Sequence, residues 1–457
     1  MRSRRGAFLG GLGLFGGLLL VATLAAPRVT GFSPNPDSPH VASLAPIRLQ
    51  FNRLMDRVSV ETRFEISPEL PGRTSWEGNT MRFEPLEPWP AGQEIIVRLA
   101  AGSRSIRFLP MLQTFQGSFK TGEARLAFLW PTDGTADLYL LTLNSGEWAR
   151  LTQSEAGVLE YTLARDGGSI VYAALRTDGS SELRRLDLIT LDDRLVLECS
   201  AASRCQAPAL SPAGDLLAYE RFEWQTSDSG RRIPGPRQVW LLSLEQGAEP
   251  VQVPPPGQVT SSPIWSPNGL LSFYNGSLQA VGLIRPESLV PINMIPNGLG
   301  LLGAWSPNGE YLLLPEIVFA DEPSTDLGTD FSSHLFRVEP ESAIRQDFSL
   351  GSVEDASPAY SPDGEWIAFG RKYLDERWTP GRQLWLMRSD GTEPRPLSDE
   401  PDFNHSSITW HPDSASLAYM RASSVDPNLP SEIWVTDLAG SASLLLVEGG
   451  YLPKWLP

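Results

Sequence analysis

The 457-residue chain carries 54 Asp and Glu against 37 Lys and Arg, a formal net charge of −17. Nucleic acid is thereby disfavoured as a partner, because non-specific binding needs clustered Lys and Arg that displace phosphate counterions. The 40 Gly and 40 Pro, set among many β-branched and aromatic residues, exclude a predominantly helical protein and point to a turn-dense all-β one.

Arg2, Arg4 and Arg5 precede an uncharged stretch from Gly6 to Ala26, rich in Leu, Gly, Ala and Val. Its length approaches the ~20 residues of a bilayer-spanning helix. The basic cluster ahead of it would stay cytoplasmic and direct the rest of the chain outward. Residues 1–27 are therefore expected to be a membrane anchor (one transmembrane helix), with a cleaved signal segment as the alternative. A signal's apolar region runs ~7–15 residues and ends in an A-x-A-like site, and Ala22-Thr23-Leu24-Ala25-Ala26 offers only partial options. Either reading places the body outside the cytoplasm, in the periplasm or at the cell surface.

Residues 28–121 predict short strands at Pro46–Phe51, Arg63–Ile66, Thr80–Phe83, Glu94–Leu99, Ser105–Phe108 and Gly117–Lys120, separated by Pro- and Gly-containing turns such as Glu77-Gly78-Asn79. That density suits a β-sandwich. The succession Phe51-Asn52, Met55-Asp56, Ser59-Val60, Phe64-x-Ile66-x-Pro68, Gly72-x-x-x-Trp76, Phe83-x-Pro85, Gly92, Val97 and Phe119-x-Thr121 resembles the bacterial Ig-like domain of SbsA type. The family's Tyr in the sixth strand is Ile95 or Ile96 here, and its Asp-x-x-Gly turn is replaced by SRSIRFLPMLQTF. The resemblance implies a spacer or adhesive module.

From residue 122 a unit recurs: Thr162-Leu163-Ala164-Arg165-Asp166-Gly167, Ala209-Leu210-Ser211-Pro212-Ala213-Gly214, Ile264-Trp265-Ser266-Pro267-Asn268-Gly269, Ala304-Trp305-Ser306-Pro307-Asn308-Gly309, Ala359-Tyr360-Ser361-Pro362-Asp363-Gly364, Thr409-Trp410-His411-Pro412-Asp413-Ser414, and a truncated Lys454-Trp455-Leu456-Pro457. Each complete copy leads into an apolar run. Pro presets φ, Asp or Asn bonds its own backbone, and Gly accepts φ > 0, so the string makes a tight turn. Units of this length built from short strands predict a β-propeller. Residues 125–152 lack a first strand, which Tyr451–Trp455 would supply, closing the ring. The count is then seven blades, with six as the alternative because the strand expected in GSLQAVGLI (276–284) is weak. SPDGEWIAFGR (361–371) followed by QLWLMRSDG (383–391) resembles the TolB-type propeller, whose consensus runs Trp, Ser-Pro-Asp-Gly, Ile-Ala-Phe and later Ile-Trp-x-x-Asp. The resemblance implies protein interaction or scaffolding over residues 122–457.

Cys199 and Cys205 are the only two cysteines, and in an exported chain they predict a disulfide. His40, His334, His405 and His411 are scattered, and no G-x-S-x-G elbow occurs. No catalytic set, metal site or cofactor is expected, and the chain is expected not to be an enzyme. The acidic run Asp321, Glu322, Asp326 and Asp330 lacks a calcium-loop register. Long connections at Phe222–Arg237, Pro315–His334, Tyr373–Arg382 and Ala422–Glu432 mark a binding face. Trp224, Tyr373 and Trp378 are its candidate aromatic anchors, with Arg231, Arg232 and Arg377 as polar contacts. The expected function is membrane-anchored binding of a protein or glycan of the cell envelope; the alternative is a hydrolase or lyase with a pocket on the long-loop face.

Overall fold

The computed structural model describes residues 26–34, 41, 45–86, 89–90, 92–143, 145–253, 256–319, 331–440 and 443–457. The expected anchor up to Ala25 and the acidic residues Asp321, Glu322, Asp326 and Asp330 lie outside them. Among the described residues no helix is long and apolar enough to cross a membrane. The chain divides into two compact units, Met1–Gly122 and Glu123–Pro457.

In the first unit, Val29–Ser33, Ile47–Phe51, Thr80–Pro85 and Gly72–Glu77 pair in that order as one antiparallel sheet, and Phe64–Ser67, Glu94–Leu99 and Phe115–Lys120 form another. Strict alternation puts Ile47, Leu49 and Phe51 of the first sheet and Ile95, Val97 and Leu99 of the second into one shared core with Trp89 and Phe119. Two strands were missing from the expectation. Gly72–Glu77 is an exposed edge with no apolar alternation, and Val29–Ser33 is only half-buried and bulged beside Gly31. The strand expected at Ser105–Phe108 is instead a tight turn: the Phe108 N–H donates to the Ser105 carbonyl at 2.8 Å, with Phe108 at φ 61°. Pro110, which has no N–H to give a ladder, follows directly. Asp56 caps a short helix, Arg57–Glu61, by accepting from the Ser59 N–H at 3.2 Å.

The second unit is a succession of antiparallel arrays of four principal strands, at 158–198, 203–252, 260–296, 304–347, 353–396 and 403–448, of which those at 304–347 and 353–396 are joined into one sheet by a parallel bridge from Ser333 to Glu354. A further sheet joins Glu147–Arg150, Asp137–Thr142 and Arg125–Trp130 to Tyr451–Trp455. Ala280–Ile284, weak in the sequence, is a fully buried central strand paired on both sides. Each sheet shares an apolar cluster with the next. Val171, Ala173 and Leu183 pack on Leu217, Tyr219 and Leu242; Ala218, Val239 and Leu241 pack on Leu271, Phe273 and Ile284. The succession returns to its start: Ala418, Ile433 and Val447 pack on Leu126, Phe128 and Leu141. Both faces of each central strand are thus covered, which is why those strands read as continuous apolar runs rather than alternating ones.

The repeated turns behave as their residues dictate. The N–H groups of Gly214, Gly269, Gly309 and Gly364 donate to the carbonyls of Ser211, Ser266, Ser306 and Ser361 at 2.8–3.0 Å, with glycine φ between 71° and 83°. Ser414 occupies the same position at φ 60°, where a side chain is strained. The tryptophans of the motif reach into the preceding sheet. Trp265 Nε1 donates to the Ala209 carbonyl at 2.9 Å and Trp410 Nε1 to the Ala359 carbonyl at 3.0 Å. Trp305 Nε1 donates to Ser272 Oγ at 3.1 Å.

Just upstream lies a second recurrence. Ala207, Ser262, Ser357, Ser407 and Leu452 all have φ between 48° and 55°, each inside a register shift of the first strand of its sheet. Four of the five precede a proline: Pro208, Pro263, Pro358 and Pro453. A bulge leaves one residue out of the ladder, so a residue without an N–H is tolerated there.

Closure depends on a short C-terminal strand. Tyr451, Lys454 and Trp455 pair with Leu129, Ala127 and Leu126, and the Leu456 N–H donates to the Arg125 carbonyl at 2.9 Å. The Thr132 hydroxyl and N–H both donate to the Gly449 carbonyl, at 2.7 and 2.8 Å. Truncation after Gly450 would expose the edge of Arg125–Trp130 and remove the buried Trp455 and Leu456 side chains, about 3 kcal/mol or more from the tryptophan alone. The truncated chain is expected to melt several degrees lower and to self-associate, as read by scanning fluorimetry and size-exclusion chromatography; an unchanged melting temperature would contradict closure by this strand.

Candidate functional site

The sequence-selected residues fall into two separate groups. The connection expected as a loop at Phe222–Arg237 is a hairpin: Leu216–Thr226 continues outward and Arg232–Pro234 returns, pairing Trp224 with Pro234 and Thr226 with Arg232. Gly235 follows where an added Cβ would lie 2.7 Å from the Glu223 carbonyl oxygen, so a side chain is excluded by the tightness of the return. Trp224 sits between two guanidinium groups, Arg204 at 4.8 Å and Arg232 at 4.5 Å from its ring. Phe222 meets its edge at 5.1 Å.

Arg232 donates to the carbonyls of Asp178, at 2.8 Å, and Ala201. Arg204 donates to the Gly179 carbonyl at 3.0 Å, and burial together with the nearby Arg232 charge lowers its pKa. The backbone N–H of Trp224 donates to the Ala202 carbonyl at 2.8 Å. Trp224 and Arg232 therefore fasten the hairpin to the 199–205 loop, which is closed by the Cys199–Cys205 disulfide with both cysteines buried. Arg231, beside them, is exposed and its side chain makes no bond among the described residues.

The second group is Tyr373, Arg377 and Trp378, which the structure does bring together. The Arg377 guanidinium lies 3.6 Å from the Tyr373 ring centroid and is paired with Asp375 at 2.5 Å. Asp375 is held well below the usual carboxylate range, at about 2, chiefly by that side-chain bond. Trp378 is 56% exposed with Lys372 Nζ 4.7 Å from its ring. Gly381 lets this segment return against the neighbouring sheet, since a Cβ there would lie 1.9 Å from the Phe403 carbonyl oxygen. The two groups stand on arrays separated by those at 260–296 and 304–347, and no described hydrogen bond or ring contact joins them.

Sequence reasoning missed Arg204 and Lys372, which lie outside the long connections. It also missed a charged cluster on the first strands, where the ring closes. Lys454 Nζ donates to the Tyr161 carbonyl at 2.6 Å and lies 4.9 Å from the Tyr161 ring. Burial pushes its amine down to about 8, while the Glu160 charge opposes the fall. Burial, and next the charge of Glu220, pushes Glu160 up. Glu220 is itself saturated: it accepts from the Ser262 N–H at 2.7 Å and Gln206 Nε2 at 3.0 Å, with Arg237 3.6 Å away. Glu160 and Lys454 thus influence each other's charge at the closing seam without a direct ion pair among the described residues. The usable signal was the bulge motif Leu452-Pro453, which Lys454 follows directly.

Three histidines pair with carboxylates, among them His411, whose Nδ1 lies 2.6 Å from Asp413 Oδ1. His334 Nδ1 lies 2.8 Å from Asp347 Oδ2, and Nε2 is 3.1 Å from the Gly351 carbonyl oxygen and 3.2 Å from Ser332 Oγ. The Asp347 bond raises its pKa. With the Asp347 carboxylate at one ring nitrogen and the Gly351 carbonyl oxygen at the other, the surroundings favour the charged form of the ring. His405 lies 3.2 Å from Glu400, which also pairs with Arg421. Among the described residues no group of three or more His, Cys, Asp or Glu is arranged to hold a metal ion.

No family profile matches the sequence, and no curated protein does. Solved structures share the fold at low identity. An oligogalacturonate lyase in complex with manganese aligns at a TM-score of 0.51 and 14% identity, over 82% of this chain and 98% of that one. A puromycin-hydrolyzing peptidase from Mycobacterium tuberculosis aligns at 0.51 and 15%, over 79% of this chain and 52% of that one. TolB from Acinetobacter baumannii aligns at 0.45 and 11%, over 86% and 83%. At these identities the likeness shows fold alone: the chain is an all-β protein built round a β-propeller, with TolB among its structural neighbours. The expectation that it is not an enzyme is overturned, because the same fold carries a lyase and a peptidase; a propeller does not separate binders from catalysts.

Two outcomes follow. Replacing Cys199 and Cys205 by Ser frees the 199–205 platform, so trypsin should cut after Arg231 and Arg232 severalfold faster while the melting temperature falls by only a few degrees; equal cleavage would show that the disulfide does not support the hairpin. Glu160→Gln removes the charge that holds the Lys454 amine up, so amine labelling of Lys454, followed by mass spectrometry, should set in at lower pH than in the parent chain.

Proposed function

We propose that the chain is an extracytoplasmic binding scaffold. Residues 1–27 anchor it in a membrane, an SbsA-type Ig-like module over 28–121 acts as a spacer, and a seven-bladed TolB-like propeller over 122–457 holds a protein partner of the cell envelope on its long hairpins. The disulfide supports an oxidising compartment. The observation that carries the reading is the aromatic–cation platform of the 372–378 segment: Trp378 stays largely exposed beside Lys372, next to a Tyr373–Arg377 stack already locked by Asp375. Rigid aromatic surface with flanking cations is what interface hot spots use.

A second reading, a hydrolase or lyase, is favoured by Glu160 and Lys454. Burial moves their titrations in opposite directions toward neutral pH, the pattern of acid–base pairs.

The test uses substitutions that spare the internal fastening made by Trp224 and Arg232. Envelope extracts are passed over the full chain and over a Arg231→Ala/Trp378→Ala variant. Loss of a captured protein by the variant, with its melting temperature unchanged, is expected; equal capture would sink the hairpin reading, and capture of a glycan alone would replace the protein partner. Turnover of an envelope polymer, abolished by Lys454→Ala, would promote the second reading.

A further inference from the structure

The first unit carries a surface that none of this uses. The turn that replaced an expected strand at 105–108 is built from apolar residues that point outward: Ile106 is 56% exposed, Phe108 74% and Leu112 55%. Its backbone is tied to the segment that follows Phe51. The Ile106 N–H donates to the Leu54 carbonyl at 3.3 Å, the Asp56 N–H to the Arg104 carbonyl at 2.9 Å, and the Arg104 N–H to Ser59 Oγ at 3.0 Å. Leu54, 50% exposed, joins the same apolar end.

The turn is also held at a cost. Phe108 adopts φ 61°, a left-handed conformation that glycine takes freely and an aromatic side chain does not. The Leu109 N–H donates to Ser105 Oγ at 3.2 Å and the Met111 N–H to the Ser103 carbonyl at 2.8 Å, which fixes the conformation from both sides. A strained turn that displays phenylalanine to solvent indicates something that covers it.

Charge identifies the occupant. Arg57, Arg104 and Arg107 surround the turn, are exposed, and make no ion pair among the described residues. Residues 26–122 hold 11 Lys and Arg against nine Asp and Glu in a chain whose net charge is −17, so the acidity resides elsewhere. The point of chain entry lies beside the patch. Asn52 Nδ2 donates to the Ala26 carbonyl at 3.2 Å, and Asn52 Oδ1 accepts from the Arg28 N–H at 3.0 Å, two residues before Leu54. Ala26, the first described residue, is therefore held at the end that displays Leu54.

We propose that this end of the first unit is a membrane contact, in which Leu54, Ile106, Phe108 and Leu112 enter the headgroup region of an anionic bilayer and Arg57, Arg104 and Arg107 meet lipid phosphates. The proposal rests on the reading that the N-terminal stretch brings the chain to a membrane, and it adds that the unit lies down on that membrane rather than standing clear of it.

The test labels the full chain at Leu112→Cys with an environment-sensitive fluorophore, the native cysteines being joined to each other. The chain is reconstituted into vesicles of phosphatidylcholine with and without phosphatidylglycerol, and flotation records whether it is membrane-bound. A blue-shifted emission that strengthens with phosphatidylglycerol and weakens with salt is expected. Phe108→Gly relieves the left-handed strain, so it should keep or raise the melting temperature while the buried fraction of label falls about tenfold. Flotation with water-like emission in both vesicles would overturn the contact and leave the anchor standing. Failure to float with anionic vesicles would overturn both. Emission that shifts only after envelope protein is added would overturn the lipid assignment in favour of a protein.

Discussion

The second unit depends on the pairing of Tyr451–Trp455 with Arg125–Trp130. Every other sheet draws its strands from one continuous stretch of chain and could form locally. This one joins residues more than 300 positions apart, as in the bond from Trp130 Nε1 to the Glu448 carbonyl at 3.1 Å. Loop-closure entropy grows only logarithmically with such a span, so burial on both flanks can hold it. Leu126 and Phe128 enter the cluster shared with Ile433 and Val447, while Ala127 and Leu129 enter the cluster shared with Tyr161 and Tyr172. The opposite faces of one short strand thus complete two inter-sheet cores, and without the seam two sheets would each lose a neighbour.

Closure also explains the unusual chemistry nearby. Tyr161 donates its hydroxyl to the Ala127 and Leu452 carbonyls at 2.8 and 2.6 Å, and its own carbonyl accepts from Lys454. A lysine drawn into that seam loses hydration, which disfavours its charged form, and Glu160 beyond the usual bonding distance only partly offsets the loss. A buried lysine and glutamate whose titrations burial shifts toward each other therefore sit where the last strand meets Arg125–Trp130, a place no single repeat could encode.

Much of the fold was legible because its signals are local. Pro, Asp or Asn and Gly each act within a four-residue turn, so the stops between strands could be read one at a time. Gly214 and Gly364 took the φ > 0 conformation that the turn chemistry requires. What was illegible depends on contact between repeats. The motif tryptophan reads as a strand terminus, yet Trp265, Trp305 and Trp410 donate their indole N–H to the sheet before, which no spacing within one repeat discloses. Trp224 and Arg232 read as outward contacts because they stand in a long connection. The Arg232 guanidinium instead reaches the Asp178 and Ala201 carbonyls and lies over the Trp224 ring. Arg204 went unnoticed because it lies on a strand, and only the folded hairpin brings it over the indole.

The same distinction bears on the turn at 104–112. Its alternation of Arg and apolar residues imitates a strand with one buried face, and period-two patterning alone cannot tell such a strand from a turn that throws its apolar side chains outward. The neighbours decide. Ser103 and Ser105 are buried and bond to nearby backbone, Met111 fills the core beneath, and Ile106 and Phe108 stay exposed. The apolar residues are displayed because the polar ones, Ser103 and Ser105, have taken the inside. An inversion of that kind, serine within and phenylalanine without, is stable in water only at a continuing cost in exposed apolar area, and an apolar phase or partner over the turn would remove that cost.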